Sequence, residues 1–490
     1  MTGQLDVIEP KHSVANLTAA QQDLLARTAD EEQRSVLYRE LLRARRLPAP
    51  TDLSVAENVL LAGQLREYVF DELNALPTSA MRYATSYGTD SEGGLRGLVA
   101  ERLTDSLGAT VRADDVFGTA GVASALECVA LALQEPLRDK PVVVPTQRSA
   151  RPRVPVPRRS PVLLPAPFWQ GFYWSFEQVP KLRCVPVHLE HAGAENFRLT
   201  LADIQRAYYR LDRHNRPKLL VLTNPHNPLG VNYDEGLLES VYHWALSETD
   251  MHIVSDEIYC HSQLLGALPP FVSALALNAT QRAPERVHVV WGFAKDFGLS
   301  GFRTGFVISR SPHVRQAMLG TRGTAKSIRS LAWFTPFDSL KQFAITTLLT
   351  ADGGDFWDTA VESYQADLTD SFRAVAEVLD GYGIRYVRGE DANTAQFVWL
   401  DLREFLPADE PPEITPANAL LFGDPTLRPT PEERLAEHLL ARADVKLLPG
   451  TTLSCAWPGY FRLCFTAWEQ RTVVAAVDRM CRVLTALGRG

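Results

Sequence analysis

The sequence lacks the features that mark nucleic-acid-binding and membrane proteins. Its 490 residues carry 50 Lys and Arg against 58 Asp and Glu, a formal net charge of −8. No overall positive field is therefore available to attract nucleic acid or an anionic membrane. No apolar run approaches the roughly 18 residues that span a bilayer, and the N-terminus shows no basic region followed by an apolar segment. We expect a cytoplasmic protein with neither nucleic acid nor membrane as partner.

Cysteine is scarce and scattered. The six cysteines form no C-x-x-C pair and lie mostly among apolar residues, which excludes the usual zinc and thiol-disulfide motifs. We expect reduced packing residues and no metal site. The positions are Cys128, Cys184, Cys260, Cys455, Cys464 and Cys481.

The chain does contain a series of short apolar runs between helical patterns. These runs are "DDVFGTAG", "SPVLLPAP", "RPKLLVLTNP", "DMHIVSDEIY", "ERVHVVWGFAK" and "GFVISR". Continuous β-branched runs of this length predict an α/β fold with a mostly parallel sheet covered by helices on both faces. From about residue 352 a long helical stretch, the runs "QFVWLDL" and "YFRLCFT" and a last helix predict a smaller α+β domain.

These changes in sequence pattern along the chain predict the domain organisation. We expect an N-terminal arm (1–47), a segment that contributes to the small domain and a dimer interface (48–95), a large domain (96–351) and a small C-terminal domain (352–490). Two segments look inserted. Residues 146–160 hold five arginines, several prolines and no acid, and residues 407–433 are acidic and proline-rich. Both compositions predict exposed excursions.

One lysine stands in an unusual place. Lys295 ends the apolar run of "VVWGFAKDFGLSGFRTGFV" (289–307) and precedes a glycine-rich turn. A lysine there is ordinarily a surface ammonium. At the end of a buried strand, however, desolvation lowers the pKa of an amine and frees it as a nucleophile, which suits a Schiff base with an aldehyde cofactor.

Two other segments lie where an α/β sheet places its ligand-binding loops. "TNPHNPLG" (223–230) and "SDEIY" (255–259) each follow an apolar run. Either one alone is also typical of a plain turn. Together with "AKDFGLSGFRTG" (294–305), in this order and spacing, they resemble the fold-type I pyridoxal-phosphate enzymes of the aspartate aminotransferase family.

The resemblance implies a cofactor and a role for each residue around it. Lys295 would bind pyridoxal 5'-phosphate covalently, and Asp256 would keep the ring nitrogen protonated, although an N-cap or a surface ion pair is its plainer interpretation. Asn227 and Tyr259 match the pair that holds the ring oxygen. With Lys295 and Asp256, Tyr259 completes the expected catalytic set.

The phosphate group would be bound at a helix start. Arg303 matches the family's phosphate-binding arginine, and backbone amides would assist it. These amides lie in "GTAGVASALE" at Gly121, Val122 and Ala123. The family usually has Ser-x-Ser-Lys where this chain has Gly292, Phe293, Ala294 and Lys295. Two phosphate-binding hydroxyls are thus missing, at a cost of about 1 kcal/mol each.

Three further residues match positions around the cofactor and substrate. Trp169, in "PAPFWQGF", aligns with the aromatic that stacks on the ring, although so dense an aromatic cluster is also typical of a core. Tyr87 resembles the tyrosine that reaches the neighbouring subunit's phosphate, which implies a homodimer with shared active sites. Arg462 matches the arginine that binds the substrate α-carboxylate with its planar fork.

Three longer stretches resemble one branch of the family, the 1-aminocyclopropane-1-carboxylate (ACC) synthases. "LSVAENVL" (53–60) is similar to their "LGLAENQL", whose glutamate, here Glu57, lies in the substrate pocket. "NTAQFVWLDLREFL" (393–406) and "LLPGTTLSCAWPGYFRLCF" (447–465) match two more of their segments. The likeness covers residues 50 to 485 apart from the two insertions.

This branch implies S-adenosylmethionine as substrate. Methylthioadenosine would leave by γ-elimination or γ-replacement through a quinonoid intermediate, giving ACC or a C–C bonded or annulated product with a second substrate. An aminotransferase is the alternative, since the same residues serve transamination. An effector sensor fused to a DNA-binding domain is disfavoured by the short arm and the acidic charge.

The arginine-rich insertion bears on the second substrate. We expect it to bind an anionic molecule such as a nucleotide, whereas a solvated loop is the plainer interpretation. The residues concerned are Arg148, Arg151, Arg153, Arg158 and Arg159.

Overall fold

The computed structural model describes residues 50–66, 94–133, 160–189, 197–319, 338–388, 393–407 and 430–488. The predicted N-terminal arm, Tyr87 and residues 146–159 lie outside these ranges. Nine helices of eight residues or more lie within them: α1 (Leu95–Leu107), α2 (Val122–Ala132), α3 (Leu201–Arg210), α4 (Glu235–Glu248), α5 (Pro312–Leu319), α6 (Ser339–Thr350), α7 (Asp355–Tyr382), α8 (Pro431–Ala443) and α9 (Gln470–Leu487).

A seven-stranded sheet lies at the centre of the fold. After the short β1 (Thr51–Asp52), its strands are β2 (Val116–Thr119), β3 (Pro161–Pro165), β4 (Arg183–Val187), β5 (Leu219–Thr223), β6 (His252–Asp256), β7 (Val287–Gly292) and β8 (Gly305–Ser309). The strand order is β2-β8-β7-β6-β5-β3-β4. Strand β8 is antiparallel to both of its neighbours, β2 and β7, and the other strand pairs of this sheet are parallel. The predicted mostly parallel sheet is confirmed.

Alternate residues of each central strand enter two different cores. Leu163, Leu220 and Ile253 pack on one face of the sheet, while Val162 and Leu219 pack on the other. Apolar groups on both faces explain why these strands are continuous apolar runs in the sequence. The edge strand β4 was not predicted because its sequence, "RCVPV", mixes buried and partly exposed positions.

A second, four-stranded sheet follows in the C-terminal part. Its strands are β9 (Arg385–Tyr386), β10 (Phe397–Asp401), β12 (Leu448–Pro449) and β13 (Tyr460–Cys464), in the order β12-β13-β10-β9 and all antiparallel. A separate strand, β11 (Val445–Lys446), pairs in parallel with β1. Long helices α7 and α9 pack against each other. The elements predicted from "QFVWLDL" and "YFRLCFT" are thus present, whereas the domain boundaries stay a prediction.

The last residues of the predicted acidic insertion, 430–433, do not form an exposed excursion. Residues 408–429 lie outside the described ranges, but Thr430 caps helix α8 with a capping box to Glu433. Glu432 is fully buried, so residues 430–433 belong to the body of the protein.

All six cysteines are buried and free, as expected. Within the described ranges, no helix combines the length and apolar character needed to cross a bilayer.

Candidate active site

The sheet brings the predicted site residues to one edge. Strands β3, β5, β6 and β7 are parallel, so the loops after their carboxyl ends meet there. The antiparallel β8 begins at the same edge, because Gly305 is paired with both Gly292 and Thr119. Trp169, Asn227, Asp256, Lys295, Arg303 and Gly121 all lie in or beside these strand ends.

Lys295 lies directly beyond β7 in a nearly buried position. Its Nζ donates a hydrogen bond of 2.5 Å to the carbonyl oxygen of Ala56. Burial lowers the pKa of the Lys295 amine, while the nearby Glu57 carboxylate opposes that shift. The amine is therefore easier to deprotonate than that of an exposed lysine, as the sequence predicted.

Asp256 ends β6 and is buried. Burial raises the pKa of its carboxyl to about 7, against hydrogen bonds from Ile258 and Thr223 that lower it. Its Oδ1 is buried and has no hydrogen-bond partner among the described residues. A buried acceptor without a donor is costly, so this oxygen is suited to an N–H group supplied by a ligand.

Gly121 and Arg303 form a close pair at the start of helix α2. Gly121 has φ +90°, and a Cβ there would lie 2.8 Å from Arg303 Nη2. Arg303 itself has φ +51° and donates from Nη1 to the carbonyl oxygen of Ser300. Gly121 supplies no side-chain cap to this helix start, and the Arg303 guanidinium lies beside Gly121. Both features attract a phosphate.

Arg462 and Asn227 are in direct contact. Arg462 lies in β13, is 3% exposed and donates from Nη1 to Oδ1 of Asn227 at 2.9 Å. Its Nη2 donates to the Ser54 carbonyl oxygen at 2.6 Å, and its guanidinium lies over the Phe397 ring. The buried Nε has no partner among the described residues, which leaves a donor for a substrate carboxylate.

Glu57 joins this group from the N-terminal segment. Its Oε2 accepts a hydrogen bond of 2.7 Å from Ser300 Oγ, three residues before Arg303. Its backbone carbonyl accepts one from Thr466 Oγ1 at 2.6 Å. The carboxylate is thus fixed between the Lys295 loop and the end of β13.

The two aromatic candidates differ in their surroundings. Tyr259 is buried, packs edge-on against Phe397, and its pKa is raised well above the usual value by burial, so its phenol stays a hydrogen-bond donor. Trp169 is partly exposed and contacts Phe172 edge-on at 5.6 Å. The described contacts of Trp169 do not join it to Asp256 or Lys295.

Three residues of this site were missed from the sequence. Asn58 and Gln396 both donate side-chain hydrogen bonds to the Lys295 carbonyl oxygen, at 2.9 Å and 2.8 Å. Asp296 is 1% exposed and accepts from His261, Ser262 and Trp291. The adjacency of Asn58 to Glu57 and of Asp296 to Lys295 was the available signal.

Cys260, His261 and Asp296 place three metal-binding atoms within 4.8 Å of one another. The Asp296 carboxylate is already the shared acceptor of the hydrogen bonds just described. His261 Nε2 also contacts Ser106 Oγ at 2.9 Å. We therefore interpret this cluster as a hydrogen-bond network beneath Lys295.

The site fits pyridoxal phosphate at three points. The unpaired Oδ1 of Asp256 matches a protonated ring nitrogen, the Gly121–Arg303 pair matches the phosphate, and the buried amine of Lys295 matches the aldehyde. Tyr87 and the five arginines of 146–159 lie outside the described residues, so their roles stay predictions.

Comparison with known proteins agrees with this fit. The sequence model of the family "Aminotransferase class I and II" matches residues 84–480. ACC synthase 4 of Oryza sativa subsp. japonica is 30% identical over 344 residues, which are 67% of this chain and 63% of that protein. ACC synthase 1 of Cucurbita pepo is 26% identical over 65% of this chain and 57% of its own. The chain thus spans less than two thirds of the length of these relatives.

Solved structures show the same fold. Thermus thermophilus aspartate aminotransferase with maleate has a TM-score of 0.64 at 22% identity and covers 95% of this chain and 99% of its own. The aromatic aminotransferase from Pyrococcus horikoshii OT3 has a TM-score of 0.64 at 19% identity, over 91% of this chain and 98% of its own.

Proposed function

Because this chain belongs to the aminotransferase class I and II family, we propose that it acts on S-adenosylmethionine and releases methylthioadenosine by γ-elimination or γ-replacement. The fold is pyridoxal-phosphate fold type I, and pyridoxal 5'-phosphate is the cofactor of this family. The ACC synthase relatives favour this substrate class, although the chain covers only part of their length.

The position of Glu57 carries the proposal. A carboxylate beside Lys295 and Ser300 attracts the sulfonium cation of S-adenosylmethionine. A neutral amino-acid side chain would gain nothing from that charge. The attraction is larger in a partly buried site than in water.

Lys295 and Arg462 would act on the two ends of the substrate amino-acid group. Arg462 binds the α-carboxylate with its planar fork, for which the unpaired Nε is available. Once the substrate's amine has taken its place on the cofactor, the freed Lys295 amine, whose pKa is lowered by burial, would accept the Cα proton as general base. By holding the α-carboxylate, Arg462 would fix the position of Cα relative to that amine, and this orientation would lower the barrier to proton transfer.

Oδ1 of Asp256 would accept a hydrogen bond from the cofactor's ring nitrogen and so keep that nitrogen protonated. A cation at that position lowers the pKa of a carboxyl, which opposes the effect of burial on Asp256. Asn227 and Tyr259 would donate to the ring oxygen. When bound, pyridoxal phosphate supplies an electron sink conjugated with the substrate Cα.

The product depends on which nucleophile attacks Cγ of the substrate. An intramolecular attack gives ACC, whereas an external nucleophile gives a C–C bonded or annulated product. We propose that the arginines of 146–160 bind an anionic second substrate, for example a nucleotide, a proposal that depends on their composition alone. Replacing all five by Ala should raise the KM of that acceptor and leave S-adenosylmethionine binding unchanged; equal effects on both would contradict it.

The test of the proposed function is a product assay. Purified protein with pyridoxal phosphate should release methylthioadenosine from S-adenosylmethionine, and Lys295→Ala should abolish both this release and the visible absorption of bound cofactor. Lys218→Ala, which changes a lysine before β5 at the opposite end of the sheet, is the matched control. Absence of methylthioadenosine from wild-type protein would overturn the proposal.

An aminotransferase is the second candidate, because the solved structures of the same fold are named aspartate and aromatic aminotransferases. It predicts a keto acid and the pyridoxamine form of the cofactor in the same assay. In either case we propose a homodimer in which Tyr87 reaches the partner's phosphate site. Tyr87→Phe should then weaken cofactor affinity.

A further inference from the structure

Two amide side chains meet at the backbone carbonyl of Lys295. Asn58 Nδ2 donates to it at 2.9 Å and Gln396 Nε2 at 2.8 Å. Asn58 Nδ2 also donates to the next carbonyl, that of Asp296, at 3.1 Å. Asn58 is 4% exposed and Gln396 is fully buried, so water does not compete for these bonds.

The two amides reach Lys295 from distant parts of the chain. Asn58 belongs to the segment after β1, which donates from Val59 to the Thr466 carbonyl beyond β13. Gln396 directly precedes β10 of the four-stranded sheet. Lys295 itself belongs to the central sheet. Its carbonyl is therefore a point at which three separate segments are held together.

A chain of hydrogen bonds closes this arrangement on the other side. Gln396 Nε2 also contacts the Tyr364 hydroxyl at 2.8 Å, which lies 2.8 Å from Ser262 Oγ. Ser262 in turn donates to Oδ1 of Asp296 at 2.7 Å. The Lys295–Asp296 pair is thus bound at both carbonyls and at the carboxylate.

Backbone packing also brings Asn58 close to the turn after Lys295. A Cβ at Gly298, which has φ +66°, would lie 2.3 Å from the Asn58 carbonyl oxygen. The segment of Asn58 and the turn after Lys295 are therefore in direct main-chain contact. The amide of Asn58 is fixed as well, since its Oδ1 accepts from the Leu60 N–H at 3.0 Å.

We propose that Asn58 and Gln396 are positioning residues for Lys295, fixing the main chain from which its amine reaches cofactor and substrate. The proposal rests on the proposed role of Lys295. A lysine side chain has a flexible four-carbon stem, so the place of Nζ depends first on where the main chain is held. Neither amide needs to touch the substrate for this.

The test uses one variant of each amide and a matched control. Asn58→Ala removes the donor to both carbonyls, and Gln396→Met keeps the chain length without the amide. Asn232→Ala is the control: Asn232 is 5% exposed, and its Nδ2 also donates to two oxygens, of Gln263 and Pro269. All are compared with wild type as holoenzyme with pyridoxal phosphate.

Two measurements separate positioning from folding. The first is the visible circular dichroism per mole of bound cofactor, which reports how the linked cofactor is oriented. The second is kcat and KM for release of methylthioadenosine. Loss of position should reduce the dichroism and lower kcat about 10- to 100-fold with KM within about twofold, since a misplacement of about 1 Å costs up to that much.

These results in Asn58→Ala and Gln396→Met, with Asn232→Ala like wild type, are the expected outcome. If Asn58→Ala does not fold, Gln396→Met alone decides. Wild-type dichroism and kcat in the folded amide variants, or the same loss in Asn232→Ala, would overturn the proposal. Wild-type protein that takes up no cofactor would overturn the proposed function itself, and this is seen before any variant is made.

Discussion

Gly292 faces Gly305 across the β7–β8 pair. A Cβ at Gly292 would lie 2.5 Å from the Thr304 carbonyl oxygen and 2.9 Å from the Gly305 Cα. The serine that the family usually has at this position therefore does not fit the present backbone. The missing hydroxyl is a consequence of how closely these two strands pack.

Restoring that serine should destabilise the protein. We expect Gly292→Ser to lower the free energy of unfolding by about 1 to 3 kcal/mol, the usual range for overpacking a tight site, in chemical denaturation of the cofactor-free protein. Gly381→Ser is the control, because a Cβ there meets nothing within 4 Å and glycine is unfavourable in a helix. A Gly292→Ser variant as stable as wild type would contradict this explanation.

The buried strands of the central sheet could be predicted from their own residues. Strands such as β5, "LLVLT", are buried on both faces, and that requirement makes the sequence continuously apolar. The edge strand β4 could not be predicted, since it contains Arg183 and Pro186 and is only half buried. Burial on two faces is visible in a single sequence, whereas pairing at a sheet edge depends on the neighbouring strand.

The site divides in the same way. The positions of Lys295, Asp256 and Arg303 at the strand ends could be predicted from motifs, because each motif borders an apolar strand of the central sheet; the roles of these residues stay predictions. Asn58 and Gln396 could not, since they act through a contact between residues 237 and 101 positions apart from Lys295. The partners of a buried amide depend on tertiary packing, so the adjacency of Asn58 to Glu57 marks its place near the site but not its contact with Lys295.

Asp256 should control the cofactor's reactivity more than its binding. Asp256→Asn keeps the side-chain volume but removes the negative charge at the unpaired Oδ1. We expect kcat to fall about 100-fold or more, the usual loss when a pre-organised electrostatic contact is removed. Cofactor content, measured by visible absorption, should stay near that of wild type because Lys295 and Arg303 are unchanged. A variant that loses the cofactor altogether would indicate a structural role instead.

The pair His252 and His288 should make the protein sensitive to acid. Their rings stack with His252 Nδ1 3.1 Å from His288 Nε2, and His288 Nδ1 contacts Ser309 Oγ at 2.8 Å. Burial lowers the pKa of His252 to about 4, aided by Arg286, His313 and Lys218. Burial also lowers the pKa of His288 well below its usual value.

Both rings therefore stay neutral in the folded protein at pH values where the unfolded chain binds protons. The free energy of unfolding should fall as the pH drops below about 6.5, the unfolded pKa, and His252 should stop contributing near its folded pKa of about 4. Between pH 7 and pH 5 the loss from His252 is about 2 kcal/mol, since pH 5 lies about 1.5 units below the unfolded pKa and one unit corresponds to about 1.4 kcal/mol. Denaturation at pH 7 and pH 5 measures it. His252→Gln should flatten this dependence, whereas an unchanged slope would exclude the pair as its cause.

Glu432 should stabilise the loop that leads to Arg462, the arginine that we propose binds the substrate. Its carboxylate accepts backbone hydrogen bonds of 3.1 Å from Gly450, Thr451 and Gly459, and β13 with Arg462 begins directly after Gly459. The Ala variant leaves three N–H groups without their acceptor.

We expect Glu432→Ala to lower the free energy of unfolding by about 2 to 4 kcal/mol, because hydrogen bonds to a charged acceptor contribute about 1.5 to 3 kcal/mol each and are not additive. The KM of the substrate should rise as well, since Arg462 then lies on a less constrained strand. Glu437→Ala is the matched control on the same helix, as Glu437 is only partly buried. Chemical denaturation together with steady-state kinetics measures both effects. A loss of stability with an unchanged KM would show that the loop held by Glu432 does not affect the proposed substrate-binding site at Arg462.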